Sequence, residues 1–237
     1  MRAFLLSLCL VSFGSALQAQ DPAVINPKIV KVEFENSKVR ILRVHFGPHE
    51  RLESHSHPAT AEVQLVDGSV QITTAGQTAE SPGKAGQFFW FEPTKHAVEN
   101  TGDAPLEMIA IEMKNAVEPG VSVKAPPRID SSPAQEPVPV QNEPHHHWTF
   151  ENEYLRVLDV TLLPGESTLF HTHPHDTIAV RLSEASVQTQ YLGKPWEAAS
   201  RAMPGEASYR EAKTPYTHRV KNVGTTTFHV IDIELLR

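Results

Sequence analysis

The sequence predicts an all-β protein made of two tandem copies of one small sandwich or barrel. Three observations carry this prediction. The chain repeats itself once at a nearly constant offset, each copy reads as short strands punctuated by Gly and Pro turns, and a proline-rich stretch separates the copies.

The repeat is read within the one chain. Phe34-Glu35-Asn36 recurs as Phe150-Glu151-Asn152, Val39-Arg40-Ile41-Leu42 as Leu155-Arg156-Val157-Leu158, and His55-Ser56-His57-Pro58 as His171-Thr172-His173-Pro174, all at an offset of 116 residues. Later, His96-Ala97-Val98-Glu99-Asn100 recurs as His218-Arg219-Val220-Lys221-Asn222 at an offset of 122. Copy two therefore gains six residues between its motifs, most of them placed in the hairpin around Gly193-Lys194-Pro195-Trp196.

The strands follow in order. Val39 to Phe46 is rich in β-branched and apolar residues. Val63-Gln64-Leu65 and Val70-Gln71-Ile72 alternate with period two about an Asp67-Gly68 turn. Gln87 to Phe91 is an aromatic run bounded by Gly86 and Pro93, and Leu106 to Met113 alternates again. Copy two repeats the plan at Leu155 to Leu162, Ile178 to Leu182, Val187 to Tyr191 and Thr227 to Leu235, and no segment holds a helical period over three turns.

Four segments result. Residues 1–20 read as a secretory signal, with Arg2 as the basic n-region, an apolar run from Ala3 to Leu17 and small Ala19 at a cleavage site. Residues 21–116 form the first β unit, 117–147 a linker with seven prolines that cannot enter a sheet interior, and 148–237 the second unit. The linker ends in His145-His146-His147; a short His run can bind metal, but a solvated tip is the reading adopted. The one cysteine, Cys9, falls in the signal, so the mature, periplasmic or secreted chain has no disulfide. A net charge of −7 argues against a nucleic-acid partner, and no Lys/Arg cluster draws the chain to an anionic membrane once the signal is cleaved.

The chain carries 13 histidines, and their placement points to chemistry. Residues i and i+2 of a strand share a face, so His55 and His57 project together, as do His171 and His173. Imidazole is the commonest protein metal ligand, and His96 and His218 are the third candidates, each on a later strand. Asn100 and Asn222, four residues on, read as turn formers.

These residues resemble the cupin superfamily, and two copies resemble a bicupin. The first cupin motif is matched by Gly47, His55, His57 and Gly68, the second by Gly86, Pro93, His96 and Asn100. Copy two offers Gly165 (displaced), His171, His173, Gly205, Pro215, His218 and Asn222. The resemblance implies jelly-roll barrels, a tendency to dimerise, and a metal held by two motif-one histidines, a glutamate and the motif-two histidine. Glu62 lies at the right distance after His57 but one residue too close to Gly68. Alternation sets Ala61, Val63 and Leu65 against Glu62 and Gln64. If the apolar face lines the barrel, Glu62 points outward and Ala61 takes the ligand slot, which is the expectation adopted; a one-residue bulge reverses it. In copy two Thr177 or Ile178 takes the slot, with His175 and Asp176 near.

The expected inventory is three neutral histidines per barrel around a divalent transition metal: Fe, Zn, Ni, Cu or Mn. Copy one, with closer motif spacing, is ranked the tighter site. Phe89, Trp90, Phe91, Tyr191, Trp196 and Tyr209 are candidates to shape a pocket for a small-molecule ligand, although strand aromatics are more often core. Arg40 and Arg156 occupy matched positions and are read as structural pairs; Arg181 is a candidate for a substrate carboxylate. Three readings remain open: a metal-dependent enzyme (dioxygenase, lyase or isomerase) on a small polar metabolite, a non-catalytic periplasmic metal or ligand binder, and a structural bicupin without metal.

Overall fold

The structure is a computed structural model and describes residues 21–116 and 137–237. The expected signal and most of the expected linker lie outside the described residues. After a short helix α1 (Pro22–Ile25), capped by Asp21, copy one runs through nine strands: β1 (Val30–Glu35), β2 (Val39–Phe46), β3 (Arg51–His57), β4 (Thr60–Gln64), β5 (Gly68–Thr74), β6 (Gln77–Gly83), β7 (Phe88–Phe91), β8 (Thr94–Asn100) and β9 (Leu106–Met113). Copy two opens with β10 (Val138–Pro139) and a 3-10 turn (Val140–Asn142). It continues through β11 (His146–Glu151), β12 (Leu155–Leu162), β13 (His171–His173), β14 (Asp176–Arg181), β15 (Ala185–Tyr191), β16 (Ser200–Ala202), β17 (Ala207–Arg210), β18 (Tyr216–Asn222) and β19 (Phe228–Leu235). The protein is all-β, as the sequence predicts, apart from α1 and the single 3-10 turn among the described residues.

Each copy is two facing sheets. In the first, order β1-β2-β9-β4-β7 faces β3-β8-β5-β6; in the second, β11-β12-β19-β14-β17 faces β10-β13-β18-β15-β16. The duplication extends to irregularities. A bulge between Val32 and Phe34 in β1 recurs between Trp148 and Phe150 in β11, and Gly86 and Gly205 both take positive φ just before β7 and β17. The two motif asparagines act alike. Asn100 donates to the carbonyls of Gly47 and Ala104 and accepts from Gly102 N–H, and Asn222 does the same with Leu162, Thr226 and Gly224. Both are buried, so the turn after each motif histidine is tied to the facing sheet.

One core lies between the copies. Val39, Ile41, Ala61, Val63, Ile109 and Ile111 pack against Leu155, Val157, Ile178, Val180, Ile231 and Ile233 in one buried cluster. Trp90 stacks on Tyr154 and Phe150, and Phe34 on Tyr209. Trp90 and Tyr209, candidates for pocket walls, therefore belong to this seam. Alternate residues face each barrel's own interior: Leu42, Val44 and Met108 in the first, Leu158, Val160 and Val230 in the second. These two sheets thus bury apolar residues on both faces, as doubly covered sheets do.

Residues 138–147 differ from the linker expectation. They form β10, paired parallel with β13, the 3-10 turn and the start of β11. Pro139 fits because β10 is an edge strand, where a missing N–H costs no ladder bond.

Candidate metal centres

In barrel one, β3 presents His55 and His57, and β8 presents His96 directly opposite His55 in the register. His55 Nδ1 donates to Glu53 O at 2.9 Å and His57 Nδ1 to Pro58 O at 2.7 Å, with Thr60 Oγ1 also 3.1 Å from His57 Nδ1. Backbone acceptors at Nδ1 place the lone pair on Nε2, which then faces the other rings. One nitrogen from each of the three histidines lies within 4.8 Å of the others, with His57 and His96 Nε2 3.3 Å apart. Nitrogens bound at about 2.1 Å to one ion are at most about 4.2 Å apart, so the cluster is close to ligand spacing. Burial, and then the neighbouring imidazoles, push His96 down to about 3; burial lowers His55 and His57 as well. All three are neutral near pH 7, the state a ligand needs.

In barrel two, β13 presents His171 and His173, and His218 on β18 lies opposite His171. Their ring centroids are 4.6 to 5.1 Å apart. His171 Nδ1 donates to Leu169 O at 2.9 Å, as His55 does to Glu53 O. A fourth imidazole joins them. His146, on β11, has its ring 4.5 Å from that of His171, and the set within 4.8 Å is His146, His171 and His173. His146 Nδ1 is 2.6 Å from Glu143 Oε2, a carboxylate–histidine pair of the kind that orients metal ligands. Burial pushes the Glu143 carboxyl up, but hydrogen bonds from His145, His146 and the Leu169 N–H hold it well below the usual range. Both ring nitrogens of His218 are buried without a hydrogen-bond partner, as is His173 Nδ1. Buried, unpaired imidazole nitrogens are costly unless something binds them. Burial and adjacent imidazoles lower His171 and His218 well below the ordinary value and bring His173 down to about 3.

Residues 42–112 match the family model of the cupin domain. Across most of its length the chain is similar in fold to AerE from Microcystis aeruginosa, at 14% identity over 88% of this chain and 98% of that one, with a TM-score of 0.59. A cupin 2 conserved barrel domain protein from Leptotrichia buccalis is similar at 15% identity over 87% and 88%, TM-score 0.51. A variant of oxalate decarboxylase from Bacillus subtilis is similar at 12% identity over 99% and 86%, TM-score 0.55. The chain has the fold of a tandem bicupin. None of the curated proteins matches it in sequence.

Several placements in the bicupin differ from the sequence reading. Glu62 pairs with Ala110 on β9, whose side chain lines the barrel-one cavity, so Glu62 faces inward and Ala61 faces the seam. The apolar stripe of β4 packs on the other barrel, which alternation alone could not distinguish from an interior. Glu62 is nevertheless outside the ligand cluster. Barrel two places Ala179 in the equivalent slot, since Ile178 pairs with Ile233 as Ala61 pairs with Ile111. Asp176 does not reach the histidines: Lys38, Tyr209 and the Ala212 N–H bind it at the seam. The His145–His147 run is not a solvated tip, because His146 is buried in the cluster. The signal that would have found it is the repeat offset: His146 stands 116 residues after inward-facing Val30, and the two pair alike with Val160 and Val44. Arg40 and Arg156 are paired, with Asp21 and Glu112 and with Glu151 and Glu234. Phe91 packs edge-on to His57 and His96, Tyr191 stacks on His218, and Trp196 lies under Arg219.

Burial pushes the Glu62 carboxyl up to about 7. A folded value above the unfolded one means that ionised Glu62 costs stability above about pH 4.5, with the full cost above about 7. Glu62→Gln is expected to stabilise the metal-free protein by about 1–2 kcal/mol at pH 8 and by nothing at pH 4. Thermal melts of both proteins at the two pH values test this, and an unchanged melting point at pH 8 contradicts it.

Proposed function

We propose that this bicupin is an exported metalloprotein that holds a divalent transition metal in each barrel and uses barrel two to bind a small molecule beside it. The observation that carries the reading is the convergence of imidazoles in each barrel, with Nδ1 of His55, His57 and His171 held by backbone carbonyls and Nδ1 of His146 by the Glu143 carboxylate. In barrel one the set is His55, His57 and His96. In barrel two it is His146, His171 and His173, with His218 against them. Imidazole sets suit Fe, Zn, Ni or Cu, and Mn is named for the similarly folded Bacillus subtilis oxalate decarboxylase. A metal with an open position supplies Lewis-acid or redox chemistry to a bound molecule. The chain's own residues then fix the ring orientations and exclude water from the cluster.

A dioxygenase, lyase or isomerase activity is the enzymatic form of this reading. A specific observation favours a quieter role for barrel one: its cavity is about 60 Å3 and mostly apolar, too small for a metabolite beside the ion. Export is proposed from the residue pattern of the first twenty positions. No helix among the described residues is long and apolar enough to cross a membrane.

The test is elemental analysis of untagged protein expressed with its leader. One ion per barrel, and a rise in melting point on adding the same metal to stripped protein, are expected. No bound metal together with no thermal shift from any first-row divalent ion would reduce the protein to a structural bicupin.

A further inference from the structure

The two cavities differ more than a shared ligand set requires. Beside the barrel-one histidines the space is about 60 Å3, walled by Leu42, Val44, Phe46 and Leu52. Beside those of barrel two it is about 330 Å3, within the range of small-molecule sites and equal to the share of roughly eleven waters.

The register shows which side chains differ beside the two clusters. Phe91 pairs with Thr60 on β4, and Arg210 pairs with Thr177 on β14, one step from the matched pairs Trp90–Ala61 and Tyr209–Ile178. Arg210 thus stands where barrel one has Phe91, and Ala179 where it has Glu62. Phe91 lies edge-on to His57 and His96. The Arg210 guanidinium instead lies over Tyr216, 3.7 Å from the ring centroid, and donates to Tyr191 Oη at 2.5 Å. Tyr216 in turn stacks on His173, with centroids 4.9 Å apart and planes 15° from parallel. Arg210 is exposed at the mouth of the cavity and has no carboxylate partner among the described residues. The other two arginines on this cavity are engaged: Arg201 with Glu184 at 2.6 Å, and Arg181 3.9 Å from Glu206. Inward of Arg210 the lining is mixed: Val160, Leu162, Val187 and Val230 form an apolar wall, and the imidazoles and the buried Asp232 stand beside it.

We propose that barrel two binds a small monocarboxylic acid with an apolar body, its carboxylate on Arg210 and its body along the apolar wall beside the imidazole cluster. A planar guanidinium already held flat by two tyrosines offers a fork that matches a carboxylate. One unpaired guanidinium matches one negative charge. A phosphate dianion wants a second free cation, and the cavity lining offers none. A two-carbon diacid would bring a second negative charge toward the apolar wall and the buried Asp232 and leave most of the space unfilled. Tyr216 separates the guanidinium from His173, so a ligand touching both ends needs a body of several carbons. This inference deepens the metal reading and rests on it, because the far end of the acid meets the histidines taken as metal ligands.

The test uses the full-length, metal-replete protein. Calorimetric titrations are run with phenylacetate, 3-phenylpropionate, phenylacetamide, oxalate and inorganic phosphate, and metal content is measured on each sample. At least one of the two arylalkanoates is expected to bind at least about tenfold more tightly than the neutral amide, oxalate or phosphate, as for a charge-assisted hydrogen bond. Arg210→Gln should weaken that acid about tenfold or more, Arg210→Lys less, and Arg201→Gln by under about twofold, with metal content unchanged in all three. Equal affinity for wild type and Arg210→Gln, stronger binding of phosphate or oxalate, or no binding of either acid by metal-loaded protein would overturn the inference while leaving the metal reading standing. A protein that takes up no metal would overturn the metal reading itself.

Discussion

His171→Ala is expected to strip the metal from barrel two and leave that of barrel one in place. His171 is 1% exposed, and its ring lies within 5.0 Å, centroid to centroid, of those of His146, His173 and His218. Its loss removes a ligand and opens a void among the rest. Changing a residue that only orients a ligand typically costs 10–100-fold in metal affinity, so loss of a ligand itself should cost more than about 100-fold. Metal per chain should fall by about half in His171→Ala and by about half in His57→Ala. The order of affinity is open to the same measurement. Motif spacing ranks barrel one as the tighter site, but the structure argues for barrel two. It has a fourth imidazole, a buried carboxylate behind His146, and unpaired nitrogens on His218 and His173. Competition with a chromophoric chelator, read on the two variants separately, is expected to show His57→Ala retaining the more tightly held ion. His146→Val, which installs the barrel-one residue, should bring barrel two down toward barrel one. If His171→Ala kept both ions, the barrel-two cluster would not be a metal site.

The β architecture was legible because strand alternation, turn residues and an internal repeat all point the same way. The His-x-His pairs and their distant partners were legible for the same reason, since period two fixes which side chains share a face. Two features were not. The face of Glu62 could not be read, because β4 buries an apolar stripe against its twin barrel and a polar one inside its own. The pattern inverts the usual rule that the apolar face lines the interior. His146 escaped because it follows a proline-rich stretch and its counterpart in copy one is Val30, so no repeated motif marks it. Divergence between copies hides the residues that make them differ: Val30 against His146, Glu62 against Ala179, Phe91 against Arg210. Those three exchanges separate a small, mostly apolar pocket from a chamber with four imidazoles and an exposed guanidinium.

Arg156→Met is expected to destabilise the protein by about 3–5 kcal/mol near neutral pH, the cost of leaving a buried charge without its partner. Arg156 and Glu234 are register partners on β12 and β19, joined by Arg156 Nη1 to Glu234 Oε2 at 3.0 Å. Arg156 Nε also donates to Glu151 at 2.5 Å, and the guanidinium lies 4.9 Å from the Trp148 ring. Glu234 is fully buried, and its Oε1 makes no hydrogen bond although His173 Nδ1 is 3.6 Å away. Burial pushes the Glu234 carboxyl up and Arg156 pulls it down. Without Arg156 the upward push of burial is opposed only by the weaker pull of His175 and His146. A folded value raised above the unfolded one makes the ionised form costly above about pH 4.5 and costless below it. The deficit of Arg156→Met should therefore shrink as pH falls from 7 toward 4. Arg156→Met/Glu234→Leu, which removes both charges, should recover most of the stability at pH 7, as replacement of a buried pair by apolar residues commonly does. Urea denaturation of the two variants at pH 7 and pH 4.5 separates the outcomes. A double variant as unstable as the single one would mean that Arg156 acts through packing on Trp148 and not through its charge. The matched Arg40→Met should cost less, because Asp21 and Glu112, which share Arg40 in barrel one, are more exposed than Glu234.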